Sequence, residues 1–145
     1  MSSSEFISEG GGEGTYVYML GYPMGLVDVE SNHPICRCGC VARAYSKEIK
    51  RTHNLLLDIQ NFLGNSGSSI ISRPEIASIR DSKSLGKAML IGIIHSYIPY
   101  QETLINSQTG KTVEIRSENS GIANAHPVEM IREVVELEMS RIKNS

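Results

Sequence analysis

Tryptophan is absent from this chain, phenylalanine occurs twice and aromatic residues make up only 6% of it, so aliphatic side chains must supply most of any core. No apolar run approaches the roughly 20 residues that a membrane-crossing helix requires. The longest, Ala88 to Ile94, suits a core element instead. The start of the chain has no basic cluster followed by an apolar stretch, and Ser2 stands where N-myristoylation demands glycine. Both features argue against secretion and against that lipid anchor. The expected location is cytoplasmic, with peripheral membrane or virion association left open. The only three cysteines lie at Cys36, Cys38 and Cys40. A bridge between neighbours two residues apart is badly strained, which excludes a disulfide scaffold.

What remains is ordinary for a folded protein. A length of 145 residues, 40% apolar and 21% charged, points to one globular domain. The net charge of −2 conceals a gradient. Residues 1–46 carry Arg37 and Arg43 against five acids, whereas residues 47–90 carry seven Lys or Arg against four acids. Cationic character is therefore concentrated in the middle third.

Residues 1–14, rich in Ser, Gly and Glu, bury too little apolar surface to offset the entropy of ordering, and are expected to form a flexible tail before a domain over 15–145. Alternation predicts strands at Tyr16–Leu20 and Leu26–Glu30, separated by a break around Pro23, and a third at Ile35–Tyr45 with the cysteines on one face. Ser46 as N-cap, with Ile49, His53, Leu56, Leu57 and Leu63 at helical spacing and Gly64 as a stop, predicts a helix over 46–63. Ser72-Arg73-Pro74-Glu75 has the form of a capping box opening a short helix through Ile79. Met89–Ile98 reads as a strand that leaves its sheet at Pro99. Thr103–Ile105 and Thr112–Ile115 flank a turn whose Gly110 takes the left-handed position, a hairpin signal. After Pro127, Val128, Ile131, Val135, Met139 and Ile142 recur at steps of three and four, predicting an amphipathic C-terminal helix. Together these predict an α+β fold: a single domain with a small antiparallel or mixed sheet, a central helix and a C-terminal amphipathic helix.

Few residues suggest chemistry. Cys36, Cys38 and Cys40, with His33 and His53 nearby, are soft donors of the kind zinc or copper favours, but the spacing is wrong for a zinc knuckle. Packing of the thiols in the core is the leading reading, with a metal site at Cys36, Cys38, Cys40 and His33, or a reactive thiol, as alternatives. Gly110-Lys111-Thr112 resembles the end of a phosphate-binding loop but has Ile105 where that motif requires glycine. The glycines at 10–12 and 14 lack a preceding strand and a lysine. No base such as His95 or His126 sits in a nucleophile signature, and Glu129, Glu133, Glu136 and Glu138 read as the wet face of the last helix. No catalytic set and no cofactor are expected. Lys47, Lys50 and Arg51 share a helix face, and Arg80, Lys83 and Lys87 follow around a turn. If the groups meet, they form a cationic patch for anionic lipid headgroups or RNA phosphates, against the plainer reading of scattered solvated charges.

The stretch Val27-Asp28-Val29-Glu30-Ser31-Asn32-His33-Pro34-Ile35, followed at a distance by Phe62-Leu63-Gly64, resembles rhabdovirus matrix proteins. Gly21-Tyr22-Pro23 leading into Leu26–Asp28, together with the chain length, is similar to the start of the bornavirus matrix protein. The resemblance covers about a third of the chain, without the basic cluster and Pro-rich motifs of several such proteins. It implies a non-enzymatic structural protein that forms homo-oligomers, lies under a membrane and contacts both anionic lipid and the ribonucleoprotein. The alternatives are a small cytosolic enzyme with a Cys- or His-lined pocket, and a nucleic-acid-binding regulator using the same basic residues.

Overall fold

A computed structural model describes residues 3–27, 29–44, 46–75 and 85–144. In chain order the elements are α1 (Ser3–Ser8), β1 (Tyr16–Gly21), β2 (Ile35–Arg43), α2 (Ser46–Thr52), β3 (Leu55–Asp58), β4 (Ser69–Ser72), β5 (Met89–Ile105), β6 (Thr112–Pro127) and α3 (Val128–Lys143). The chain is a single small domain, mostly sheet with a few helices. Its strands do not form the open sheet that a central helix implied. They close into a six-stranded antiparallel barrel in the order β1-β2-β3-β6-β5-β4.

A six-stranded barrel is too narrow for a cavity, so inward side chains fill it. Val17 and Met19 from β1, Val41 from β2, Leu55 and Leu57 from β3, Ile70 from β4, Met89, Ile91 and Ile94 from β5, and Ala123 and Ala125 from β6 are all buried. Large aliphatic residues alternate with small ones, as the narrow interior requires. Gly39 comes closest to the backbone of a neighbouring strand: a Cβ there would overlap the backbone carbonyl oxygen of Asp58 and the Ile59 side chain.

The expected helix over 46–63 is real only in its first half. It stops at Thr52 because His53 adopts a left-handed conformation, with φ 54°. Leu56 and Leu57 continue the helical spacing from Ile49 and His53, but Leu55, Leu57 and Ile59 also fit a period of two, and the open position between β2 and β6 decides for the strand. The stretch expected as a flexible tail contains a short helix. Residues Ser3–Ser8 form α1, and Phe6, 3% exposed, meets Ala44, Ile49, Leu55, Ile91 and Pro127 around a common void. One aromatic ring is enough to tie down a polar segment when it finds an apolar site.

Two further expectations fail locally. Leu26–Glu30 does not pair as a strand: Leu26, Val27 and Val29 lie exposed after a short 3-10 turn at Pro23–Gly25. Ser72 does not cap a helix, because it ends β4 and its Oγ accepts from the Met89 amide at 3.0 Å. The short helix expected through Ile79 falls outside the described residues.

The hairpin is present and longer than expected. Pro99 does not end β5, since it occupies an outer strand of a two-stranded ribbon where a missing N–H is tolerated. Past Gly121, with φ 83°, and the register shifts near Tyr97, β5 and β6 leave the barrel together as an arm about 30 Å long at the usual rise per residue. Its tip closes at Asn106, whose Oδ1 accepts from the amides of Gln108 at 2.9 Å and Thr109 at 3.0 Å, with Gly110 left-handed as expected.

Candidate assembly surface

The arm is exposed at every residue from 97 to 118. Cross-strand register gives it two unlike faces, because directly opposed residues share a side. One carries Tyr100, Glu102 and Leu104 opposite Glu118, Arg116 and Glu114, and the other carries Gln101 and Thr103 opposite Ser117 and Ile115. Val113, Ile115 and Ile105 near the tip are 68%, 62% and 61% exposed. An isolated two-stranded ribbon is marginal in water, so an arm with apolar residues at its tip calls for a covering surface.

The C-terminal helix makes the same demand. Pro127 ends β6 and turns the chain into α3 as its periodicity predicts, yet no residue of α3 is buried. Val135, Met139 and Ile142, three of the five residues of the expected apolar stripe, remain exposed, as do Val134 and Leu137. Its first two turns lean on β5 and β6, leaving a groove of about 350 Å³ lined by Ile93, His126, Met130, Ile131, Val134 and Val135. Every residue from 132 to 144 is exposed.

The cysteines do not pack in the core. Cys36 and Cys38 are exposed and Cys40 is half-buried, because Val17 pairs with Gly39 and Met19 with Arg37, and that register puts the odd residues of β2 inward. Arg37, on the inward phase, extends over the Phe62 ring with 4.9 Å to its centroid. Among the described residues no group of three or more His, Cys, Asp or Glu is placed to hold a metal ion. Alternate residues of a strand stand about 6.6 Å apart, whereas thiolates on one zinc ion approach within about 4.6 Å of each other. His33 lies exposed in the loop before β2. Partial burial, and then the charge of Asp58, raise the pKa of the Cys40 thiol, which works against a nucleophilic role at neutral pH.

The basic residues are divided. Lys47, Lys50 and Arg51 lie on the exposed side of α2. Glu48 binds Arg51 at 3.3 Å and Arg43 at 3.1 Å, while Lys87 pairs with Glu9 at 3.8 Å. Lys47 and Lys50 are thus the α2 cations with no ion pair among the described residues. Arg80 and Lys83 lie outside the described residues.

His95 and His126, separated by 31 positions in sequence, stack with ring centroids 4.1 Å apart on the outer wall of the barrel. His95 Nε2 shares a hydrogen bond of 2.8 Å with Asn54 Oδ1, so that ring nitrogen faces an amide and no nucleophile. Burial, and then the neighbouring His126, lower the pKa of His95 below its ordinary 6.5. The unfolded chain therefore takes up this proton more readily than the folded one. Stability is complete above the unfolded value and is lost as pH falls through it toward the lower folded value. The thermal midpoint is expected to drop as pH falls through the ordinary histidine value of 6.5, and His95→Gln to flatten that part of the profile. An unchanged slope in the variant would contradict the assignment.

The arm and the bare helix were the features the sequence showed least. Reading Pro99 as a stop shortened the arm, and the helical period of α3 carried no sign that its apolar stripe has nothing to cover it. No helix of the described residues is long and apolar enough to cross a membrane. No family model, no curated protein and no solved structure matches this chain.

Proposed function

We propose that this protein is a structural subunit that works as an array of its own copies, of the matrix type its sequence resembles, with the arm and α3 as contacts between copies. The observation that carries the reading is the amphipathic α3 with no buried residue. A half-exposed Val, Ile or Leu that becomes fully covered contributes about 1 kcal/mol. Val134, Val135, Leu137, Met139 and Ile142 together therefore offer enough to hold copies together at moderate concentration. In this reading Lys47 and Lys50, with Arg51, face anionic lipid headgroups or the phosphates of a nucleoprotein, and the protein performs no catalysis.

Light scattering across a concentration series tests the central part. The wild type is expected to form discrete oligomers, and the pair Val135→Asp and Ile142→Asp to weaken association by about tenfold or more without lowering the thermal midpoint. A wild type that stays monomeric throughout overturns the reading. Flotation with phosphatidylserine vesicles, lost at high salt and in Lys47→Glu with Lys50→Glu, tests the surface contact. RNA retention that is lost in the same variant while flotation persists favours the regulator instead.

A further inference from the structure

Past Gly121 the outer edge of β6 has no strand beside it among the described residues, and residues 112–118 expose their side chains throughout. An open edge is a template for another strand, and its side-chain order decides which strand it accepts. We infer that β6 pairs antiparallel with β6 of a second copy about a two-fold axis at Ile115, joining two arms into one four-stranded sheet. The inference rests on the self-association proposed above and names the contact that begins it.

Charge order selects both the edge and the register. A two-fold axis perpendicular to the ribbon makes each strand meet its copy about one self-facing residue. With Ile115 at that point, Glu114 faces Arg116 of the second copy and Arg116 faces its Glu114, while Val113 faces Ser117 and Thr112 faces Glu118. Within one chain Arg116 already holds Glu114 at 3.2 Å and lies opposite Glu102 on β5. Pairing therefore encloses each guanidinium between carboxylates. Centring on Glu114 or on Arg116 sets like charges face to face, which destabilises a sheet. Centring on Ser117 pairs Arg116 with Glu118 but leaves Ile115 facing Asn119, and brings the second strand against Gly121, where β6 turns into its pairing with β3 through Ile122.

The other edge of the arm is unsuited to the same use. On β5, Pro99 removes a donor, and Glu102 is the only charged residue between Tyr97 and Ile105. A strand with one charge and no cation cannot complement a copy of itself, and proline blunts such edges.

Disulfide trapping tests the register in full-length protein carrying Cys36→Ser, Cys38→Ser and Cys40→Ser. Directly opposed residues in an antiparallel pair have Cα atoms about 4.5–5.5 Å apart, within the reach of a disulfide. Under mild oxidation Ile115→Cys is expected to convert almost completely to covalent dimer and Ser117→Cys to remain free. In the natural background, Glu114→Arg alone and Arg116→Glu alone should each fail to pair through the arm, and an equimolar mixture should restore pairing, because the two variants face each other with opposite charges at both positions. Trapping through Ser117→Cys in place of Ile115→Cys overturns the register. Wild-type oligomers that persist in both charge variants, with no trapping at either position, overturn the arm contact and leave self-association standing. A wild type that is monomeric at every concentration removes both.

Discussion

Alanine in place of Phe6 lowers the midpoint of thermal unfolding by about 10 °C. The ring is 3% exposed and shares its surroundings with Ala44, Ile49, Leu55, Ile91 and Pro127. Removing a buried phenylalanine costs about 3–5 kcal/mol, because the lost transfer energy adds to the cavity left behind. Each kcal/mol moves the midpoint of a domain this size by about 2–4 °C. Gly12→Ala is the matched control, since its Cβ would meet nothing within 4 Å. A thermal scan in which the two variants behave alike would mean that α1 is not part of the folded domain, and that the composition of residues 1–14 described it correctly.

The second large effect separates neighbours in β2. Gly39→Val places branched carbon against the Asp58 carbonyl and the Ile59 side chain. A backbone carbonyl in a closed barrel cannot step aside, so the cost lies at the upper end of overpacking, about 3 kcal/mol. Cys38→Val, one residue earlier, points outward from an exposed position and should stay within about 0.5 kcal/mol of the natural protein. Denaturant midpoints of the two variants read the phase of the strand directly. The reverse order would place the thiols inside, as the alternation Cys36-Cys38-Cys40 by itself suggested.

That pair of substitutions shows why part of the fold was legible and part was not. Alternation in Ile35–Tyr45 predicts a strand, and β2 is one, but alternation has two phases and the residues of β2 do not choose between them. The choice comes from β1, where Val17 and Met19 face inward and take Gly39 and Arg37 with them. A slip of one residue exchanges every side chain between the faces, so the cysteine reading failed as a whole. Leu55, Leu56 and Leu57 pose the same problem with period in place of phase. Three leucines in a row satisfy a helix and a strand alike, and only the position between β2 and β6 separates them. The hairpin turn and α3 were legible because their signals are local: Gly110 for the turn, and apolar steps of three and four after Pro127 for the helix.

The candidate site divides the same way. Lys47, Lys50 and Arg51 share a face because a helix puts them there, and the pattern suffices to say so. Whether they add to Lys87 depends on contacts far away in sequence, and Glu48 and Glu9 take up part of that charge. The His95 and His126 stack is invisible in a linear chain, since it exists only where β5 and β6 run side by side.

By itself the sequence determined a single small domain with no apolar run long enough for a membrane-crossing helix, the positions of β1 and β2, the start of β6 at Thr112–Ile115, the turn at Gly110 and the amphipathic character of α3. Each of these follows from residues a few positions apart. Tertiary structure alone decided that the sheet closes, that the thiols face out, that Phe6 is drawn in, and that the arm and α3 keep their apolar residues uncovered. Those outcomes depend on which distant segments meet, and burial is a property of that meeting and not of the residue.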